Sequence, residues 1–279
     1  MIVLLPCIST TGSWLNRLDP AGQIYILCGG AVQSIESMTT SGENNRKGSF
    51  YGIGVGPGDP DLLTIKAHRT LQNVAVICFT QLDDGKQSFA LGVVRDMLEA
   101  ASPVFLAITI PSDDNSPVNH KTWTDAAKEI ARHLGVGSDV AFITEGDPML
   151  YSEFFQVLES VKAEVPGLEA EVIPGVSSVM AAAASSGMPL VTHGQRLTIL
   201  PKVYGIDDLR ETITNSDTTV LMEVNRDLLQ ALANLEKLGL TGKATYVRQA
   251  STARESVVED ISKISDEDLD YFSLLIIRR

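Results

Sequence analysis

Cysteine is scarce. Cys7, Cys28 and Cys78 are the only three in 279 residues, far apart and without a CxxC pair. An odd, scattered set speaks against a disulfide framework and a structural zinc site, and it suits a reducing cytoplasm. Histidine is equally thin. His68, His120, His133 and His193 form neither HExxH nor an i,i+4 pair, so no metal site is expected. Basic charge is short as well: 22 Lys and Arg against 35 Asp and Glu leave a net charge of −13. Such a chain has no general attraction for phosphate backbones or anionic lipid, so neither nucleic acid nor a membrane is expected as a partner. No uncharged apolar run reaches the ~18 residues of a membrane span. The opening MIVLLPCI also lacks the basic n-region of a secretory signal, and the expected compartment is the cytoplasm.

What is present is ordinary globular usage, 44% apolar and 20% charged residues. At about 150 residues per domain, this length predicts about two domains. Residues 1–48 read as a flexible leader. Its short apolar pieces are broken by Pro6, Gly12, Pro20 and Gly22, and it ends in the polar tract SMTTSGENNRKG. Translation starting at Met38 would explain the same segment. From Ser49, strand-like runs (SFYGIGV, VAVICF, PVFLAITI, SDVAFIT) alternate with helical ones (LLTIKAHRTLQ, SFALGVVRDMLEA, TWTDAAKEIARHL, 151–163). That alternation predicts βαβ units and a mainly parallel sheet. A polar joint at VPGLEAE places a boundary near residue 168, giving α/β domains over 49–168 and 169–279. The second begins with EVIP, the helix VSSVMAAAASSG, RLTILP, a helix near IDDLRETIT, TTVLME and the helix DLLQALANLEKL. Three strand-like runs without helices, ATYVRQA, ESVVEDI and FSLLIIR, close it, so its sheet is expected to be mixed.

Three glycine-bearing turns stand out. In Gly52-Ile53-Gly54-Val55-Gly56-Pro57-Gly58-Asp59-Pro60, Ile53 and Val55 share one face and the opposite face carries no side chain. A bare backbone face suits the close approach of a ligand, or equally a plain strand-to-helix turn. GxGxxG and the Walker loop both require glycine where Pro57 stands, which argues against dinucleotide and P-loop sites. The second turn, Thr144-Glu145-Gly146-Asp147-Pro148, lies at the carboxyl end of a strand, where open α/β sheets place ligands. Asp147 could cap the following helix or accept hydrogen bonds from a ribose or an ammonium group. In the third, Ile173-Pro174-Gly175-Val176-Ser177-Ser178, a hydroxyl lies beside the free N–H groups of a helix start. No GxSxG elbow is present, so a serine nucleophile is not expected. The turns carry no recognisable nucleophile, base or metal cage, which suits a reaction in which an activated cofactor supplies the chemistry.

Taken in order, GVGPGDPDLLTIKA, ITEGDPMLYSEF, VIPGVSSVMAAAASSGMPL, VLMEVN and YVRQAS with YFSLLII resemble the tetrapyrrole (cobalamin-type) methylase family, from about Phe50 to Ile277. EGDPMLYSEF and PGVSSVMAAAA are most similar to the subgroup that methylates C20 of precorrin-2 or cobalt-factor II. The resemblance implies a homodimer of two α/β domains that uses S-adenosylmethionine, with a tetrapyrrole lying over the donor. Pro57 would border the trough; Glu145, Gly146, Asp147 and Leu150 would contact the amino-acid or ribose end of the donor. Ser177 and Ser178 would hold its methionine part, and Met222 and Ala250 would line the adenine and sulfur region. Glu145 and Tyr246 are conceivable bases, and no catalytic residue is assigned. The implied substrate carries many carboxylates, so local cations should offset the acidic field. Candidates are Lys47, Lys66, Arg69, Arg196, Lys202 and Arg248. Another corrin-pathway or uroporphyrinogen-III methyltransferase and a non-catalytic α/β binding module are the alternatives.

Overall fold

The computed structural model describes residues 47–98, 101–112, 118–201, 206–225, 228 and 244–279, with the backbone of three short strands nearer the start. The chain divides into two compact units, Met1–Arg46 and Lys47–Arg279. In the first, β1 (Arg17–Leu18), β2 (Ile24–Cys28) and β3 (Ala31–Gln33) form an antiparallel sheet in that order.

The second unit holds two five-stranded sheets. Its first half runs β4 (Phe50–Gly54), α1 (Ile65–Leu71), β5 (Val76–Leu82), α2 (Phe89–Val94), β6 (Val104–Ile110), α3 (His120–Gly135), β7 (Val140–Thr144), α4 (Phe154–Glu164) and β8 (Ala170–Ile173). The strands pair in the order β6-β5-β7-β4-β8, all parallel. β7 is buried along its whole length, as a central parallel strand covered on both faces must be. One face packs on α1 and α2 through Ile53, Val55, Ile77 and Ile143; the other packs on α3 and α4 through Phe50, Cys78, Val140 and Phe142. α3 shows how the sequence sets an element: Asn119 caps it by accepting from Lys121 N, and Trp123, Ala127, Ile130 and Leu134 recur on its buried face.

The second half runs α5 (Ser178–Ser185), β9 (Leu197–Leu200), α6 (Ile206–Asn215), β10 (Thr218–Met222), β11 (Ala244–Arg248), β12 (Ser256–Val258) and β13 (Ser273–Arg278). The order β12-β11-β13-β10-β9 has one parallel pair, β9 with β10, and three antiparallel ones, the mixed sheet that the helix-free ending predicts. α5 covers one face and α6 the other. The strand EVI expected beyond the joint at 168 pairs with β4, so the passage between the sheets lies after Ile173. The helix read at DLLQALANLEKL lies outside the described residues apart from Leu228. No helix among the described residues is long and apolar enough to cross a membrane.

Candidate functional site

The three glycine turns meet at the carboxyl ends of β4, β7 and β8 and bind one another through their backbones. Gly56 N donates to Gly146 O (3.3 Å) and Gly146 N to Gly56 O (2.8 Å), while Val55 N donates to Thr144 O (2.9 Å). Gly146 has φ +62, a conformation that favours glycine. A Cβ on Gly54 would collide with the Gly146 carbonyl and lie 2.7 Å from Gly175 N; one on Gly175 would strike the same carbonyl. The side-chain-free face expected to admit a ligand is therefore covered by protein. The Phe154 ring lies against Gly52, and the other two turns lie against Gly54. These glycines serve close packing of backbone on backbone.

Asp147 also departs from expectation. α4 starts at Phe154, behind Glu153, so Asp147 does not cap it. Its Oδ1 accepts from Met149 N (2.9 Å) and its Oδ2 from Gly175 N (3.0 Å), tying the second turn to the third. Ser177 takes the expected place as N-cap of α5 and accepts from Met180 N (3.4 Å).

Beside these turns lies a cavity of about 790 Å³, counting the open space at its mouth. All nine residues singled out from the sequence line it: Pro57, Glu145, Gly146, Asp147, Leu150, Ser177, Ser178, Met222 and Ala250. Sequence reasoning missed the rest of the wall, namely Phe89, Tyr151, Glu223, Gln249 and the run Tyr271–Leu274. Glu223 and Gln249 directly adjoin Met222 and Ala250 in the motifs VLMEVN and YVRQAS, and Tyr271 begins YFSLLII, so the signal was present without a role attached to it. Tyr151, Glu223 and Gln249 have φ of +51, +53 and +46. Such backbone strain in non-glycine residues concentrates at functional sites. Phe89 stacks on Phe272 with centroids 4.3 Å apart, closing the wall between α2 and β13.

The lining is acidic. It holds the carboxylates of Glu145, Asp147 and Glu223, and no Lys, Arg or His among the described residues. Burial and the nearby Glu153 carboxylate push the Glu145 carboxyl up to about 7, and burial raises Glu153 as well. Tyr271 is 54% exposed as a residue, yet burial at its hydroxyl end and the carboxylates of Glu223 and Glu145 raise its phenol; the hydroxyl is hydrogen-bonded to Glu223. Gln249 is 7% exposed; its Nε2 donates to Asp270 Oδ2 (2.6 Å), and its Oε1 is buried without a partner.

None of the described cations expected at the mouth lines the cavity. Lys66 pairs with Glu171, Arg248 faces Asp268 (4.0 Å), and Lys47, Arg69 and Arg196 do not line the cavity either. Lys202 lies outside the described residues. Tyr246, in β11, is fully buried on the face of the second sheet that packs on α6, its hydroxyl donating to Asp268 O (2.6 Å), which removes it as a base.

Comparison with known proteins adds the relationship. The "Cobalamin biosynthesis protein CobIJ" of Mycobacterium tuberculosis is 31% identical over 238 residues, 83% of this chain and 46% of that protein, so the chain spans about half the length of that relative. The "Probable cobalt-precorrin-2 C(20)-methyltransferase" of Methanocaldococcus jannaschii is 33% identical over 234 residues, 82% of this chain and 95% of that protein. The solved structure of "Uroporphyrin-III C-methyl transferase from Thermus thermophilus complexed with S-adenyl homocysteine" superposes with a TM-score of 0.59 at 24% identity, over 83% of this chain and 92% of that one, which establishes a shared fold. The sequence profile of the Tetrapyrrole (Corrin/Porphyrin) Methylases matches residues 49–264. This chain belongs to the tetrapyrrole methylase family.

Proposed function

We propose that the protein transfers a methyl group from S-adenosylmethionine to C20 of precorrin-2 or of its cobalt-containing counterpart, in corrin ring synthesis. One observation carries the reading: five separate motifs of the family converge on one cavity whose charged lining groups are all acidic. The named activity of the Methanocaldococcus relative, over nearly the whole of that protein, supports the C20 assignment.

The lining fits the donor. A sulfonium and an ammonium need carboxylates, an adenine needs an apolar slot with hydrogen-bonding groups at its edge, and the cavity provides Glu145, Asp147, Met222, Ala250 and the orphan Gln249 Oε1. We assign Glu145, Gly146, Asp147 and Leu150 to the amino-acid or ribose end, Ser177 and Ser178 to the methionine part, Met222 and Ala250 to the adenine and sulfur region, and Pro57 to the border. When bound, the donor supplies an electrophilic methyl on a positively charged sulfur. The protein's share is to hold the reactants in line and exclude water, with the Phe89–Phe272 stack and the interlocked turns as rigid walls. We further infer two α/β domains, with the boundary moved from residue 168 to after Ile173 so that β8 stays with the first sheet, and a cytoplasmic homodimer.

An anaerobic assay with S-adenosylmethionine and, in parallel, precorrin-2, cobalt-factor II and uroporphyrinogen III tests the reading by product mass and methyl position. One methyl at C20 is the expected product. Methylation of uroporphyrinogen III alone moves the protein to another step, and binding of S-adenosylhomocysteine without transfer to any ring rejects the substrate. Sedimentation of the full chain checks the dimer.

A further inference from the structure

Methyl transfer from a sulfonium to a ring carbon leaves a charge to settle. The carbon–methyl bond forms, the sulfur–carbon bond breaks with its electron pair staying on sulfur, and the alkylated carbon sheds its hydrogen as a proton. One positive charge disappears from sulfur and one proton has to be placed. In a cavity with no basic side chain in its described lining, a carboxylate that is ionised beside the cation and protonated after its loss keeps the net charge of the site unchanged through the step.

Three carboxylates line the cavity, and their hydrogen bonds separate them. Asp147 has both oxygens committed to backbone N–H groups, at 2.9 Å and 3.0 Å. Glu223 accepts from the Tyr271 hydroxyl. Glu145 has only its own backbone N–H as a hydrogen-bonding partner among the described residues. It stands directly after the central strand β7, on a frame fixed by the Gly56–Gly146 bridge, so its reach into the cavity is set by rigid elements. Gln249, in the same cavity wall, holds a buried carboxamide oxygen with no partner.

We propose that Glu145 is the proton acceptor of the methyl transfer, ionised while the cationic donor is bound and protonated when the neutral thioether remains. This rests on the methyltransferase reading above. The titratable groups that act on Glu145 or share its cavity wall are all anionic or neutral: Glu153 at the start of α4, Glu223 after β10, Tyr271 before β13 and Asp147 in its own turn. Burial first, and the Glu153 carboxylate second, hold its carboxyl near 7 without a ligand, where a positive charge tips it to the carboxylate and loss of that charge returns the proton.

Calorimetry of the full chain with S-adenosylmethionine and with S-adenosylhomocysteine, at pH 7 in phosphate and in Tris, counts the protons exchanged. The sulfonium is expected to release up to about half a proton more than the thioether, from a group half-protonated at that pH. Glu145→Gln is expected to abolish the difference. It should also lower kcat by about 10²-fold or more and remove the limb near pH 7 from the pH profile of kcat/KM for the donor, which reports the free enzyme, with KM for the tetrapyrrole changed little. Glu145→Asp should retain part of the rate. Equal proton counts for the two ligands, or a Glu145→Gln enzyme with wild-type kcat and pH profile, overturn the proposal while leaving the methyltransferase reading intact. Binding of neither ligand to the wild-type chain overturns both.

Discussion

A Cβ on Gly175 would collide with the Gly146 carbonyl and sit 2.8 Å from the Gly54 carbonyl carbon, and neither neighbour is a flexible side chain that could move aside. Gly175→Ala is therefore expected to lower stability by about 1–3 kcal/mol, read as a shift of the urea midpoint. Because the same contact spaces the second and third turns, affinity for S-adenosylhomocysteine should fall more than tenfold. A variant with normal stability and affinity would mean that the turns can part without consequence. Glu145 gives the pH dependence. Its native carboxyl titrates near 7, against about 4.3 in an unfolded chain, so between these values the native state keeps a proton that the unfolded state has lost. The stability linked to this group is fully present below pH ~4.3 and is lost as pH rises through 7. Glu145→Gln should consequently gain on the wild type by up to about 3 kcal/mol between pH 4.5 and pH 8, measured by denaturant unfolding at both. At this scale the sequence was informative where a motif marked a turn, and all nine chosen positions reached the cavity. It was silent about Tyr151, Glu223 and Gln249, because a positive φ in a non-glycine residue is imposed by the surrounding fold and leaves no mark in composition.

At the scale of elements, the interface of β4 with α4 explains why glycine alternates in the first strand. The Phe154 ring fills the space that a side chain at position 52 would occupy and packs on Phe50 and Phe142, with centroids 6.1 and 6.0 Å away. Phe154→Ala removes a fully buried ring and leaves a void bounded by backbone, so a loss of about 3–5 kcal/mol is expected in urea titration. A loss below 1 kcal/mol would show that α4 can settle onto the strand. Elements were largely legible, because short apolar runs alternating with amphipathic stretches such as α3 leave few alternatives. Membership of a sheet was less so. EVI has a β pattern whichever sheet it joins, and only its pairing with β4 assigns β8 to the first. The same limit explains Asp147: Asp at the head of a helical run reads as a cap, whereas the chain makes a further turn through Tyr151 before α4 begins.

At the scale of the whole molecule, charge becomes the governing question. The chain carries −13, the described cavity wall holds three of its carboxylates and no cation, and the described basic residues expected at the mouth are paired with carboxylates or lie off the wall. For a cationic methyl donor this field is attractive. For a ring bearing many carboxylates it is repulsive once the two are within a screening length, about 30 Å at 0.01 M salt and about 8 Å at 0.15 M. Association of the two should therefore speed up as salt shields like charges from one another, the reverse of electrostatic steering toward an opposite-signed site. kcat/KM for the tetrapyrrole is expected to rise as ionic strength goes from 0.01 M to 0.15 M, while affinity for S-adenosylmethionine weakens over the same range. Stopped-flow binding of the ring and calorimetry of the donor would measure the two slopes separately. Opposite signs follow from an acidic trough that draws in the donor and meets the ring with repulsion. A ring slope that falls with salt would instead require a basic rim that outweighs the net charge, and would place the carboxylate-binding cations outside the wall described above.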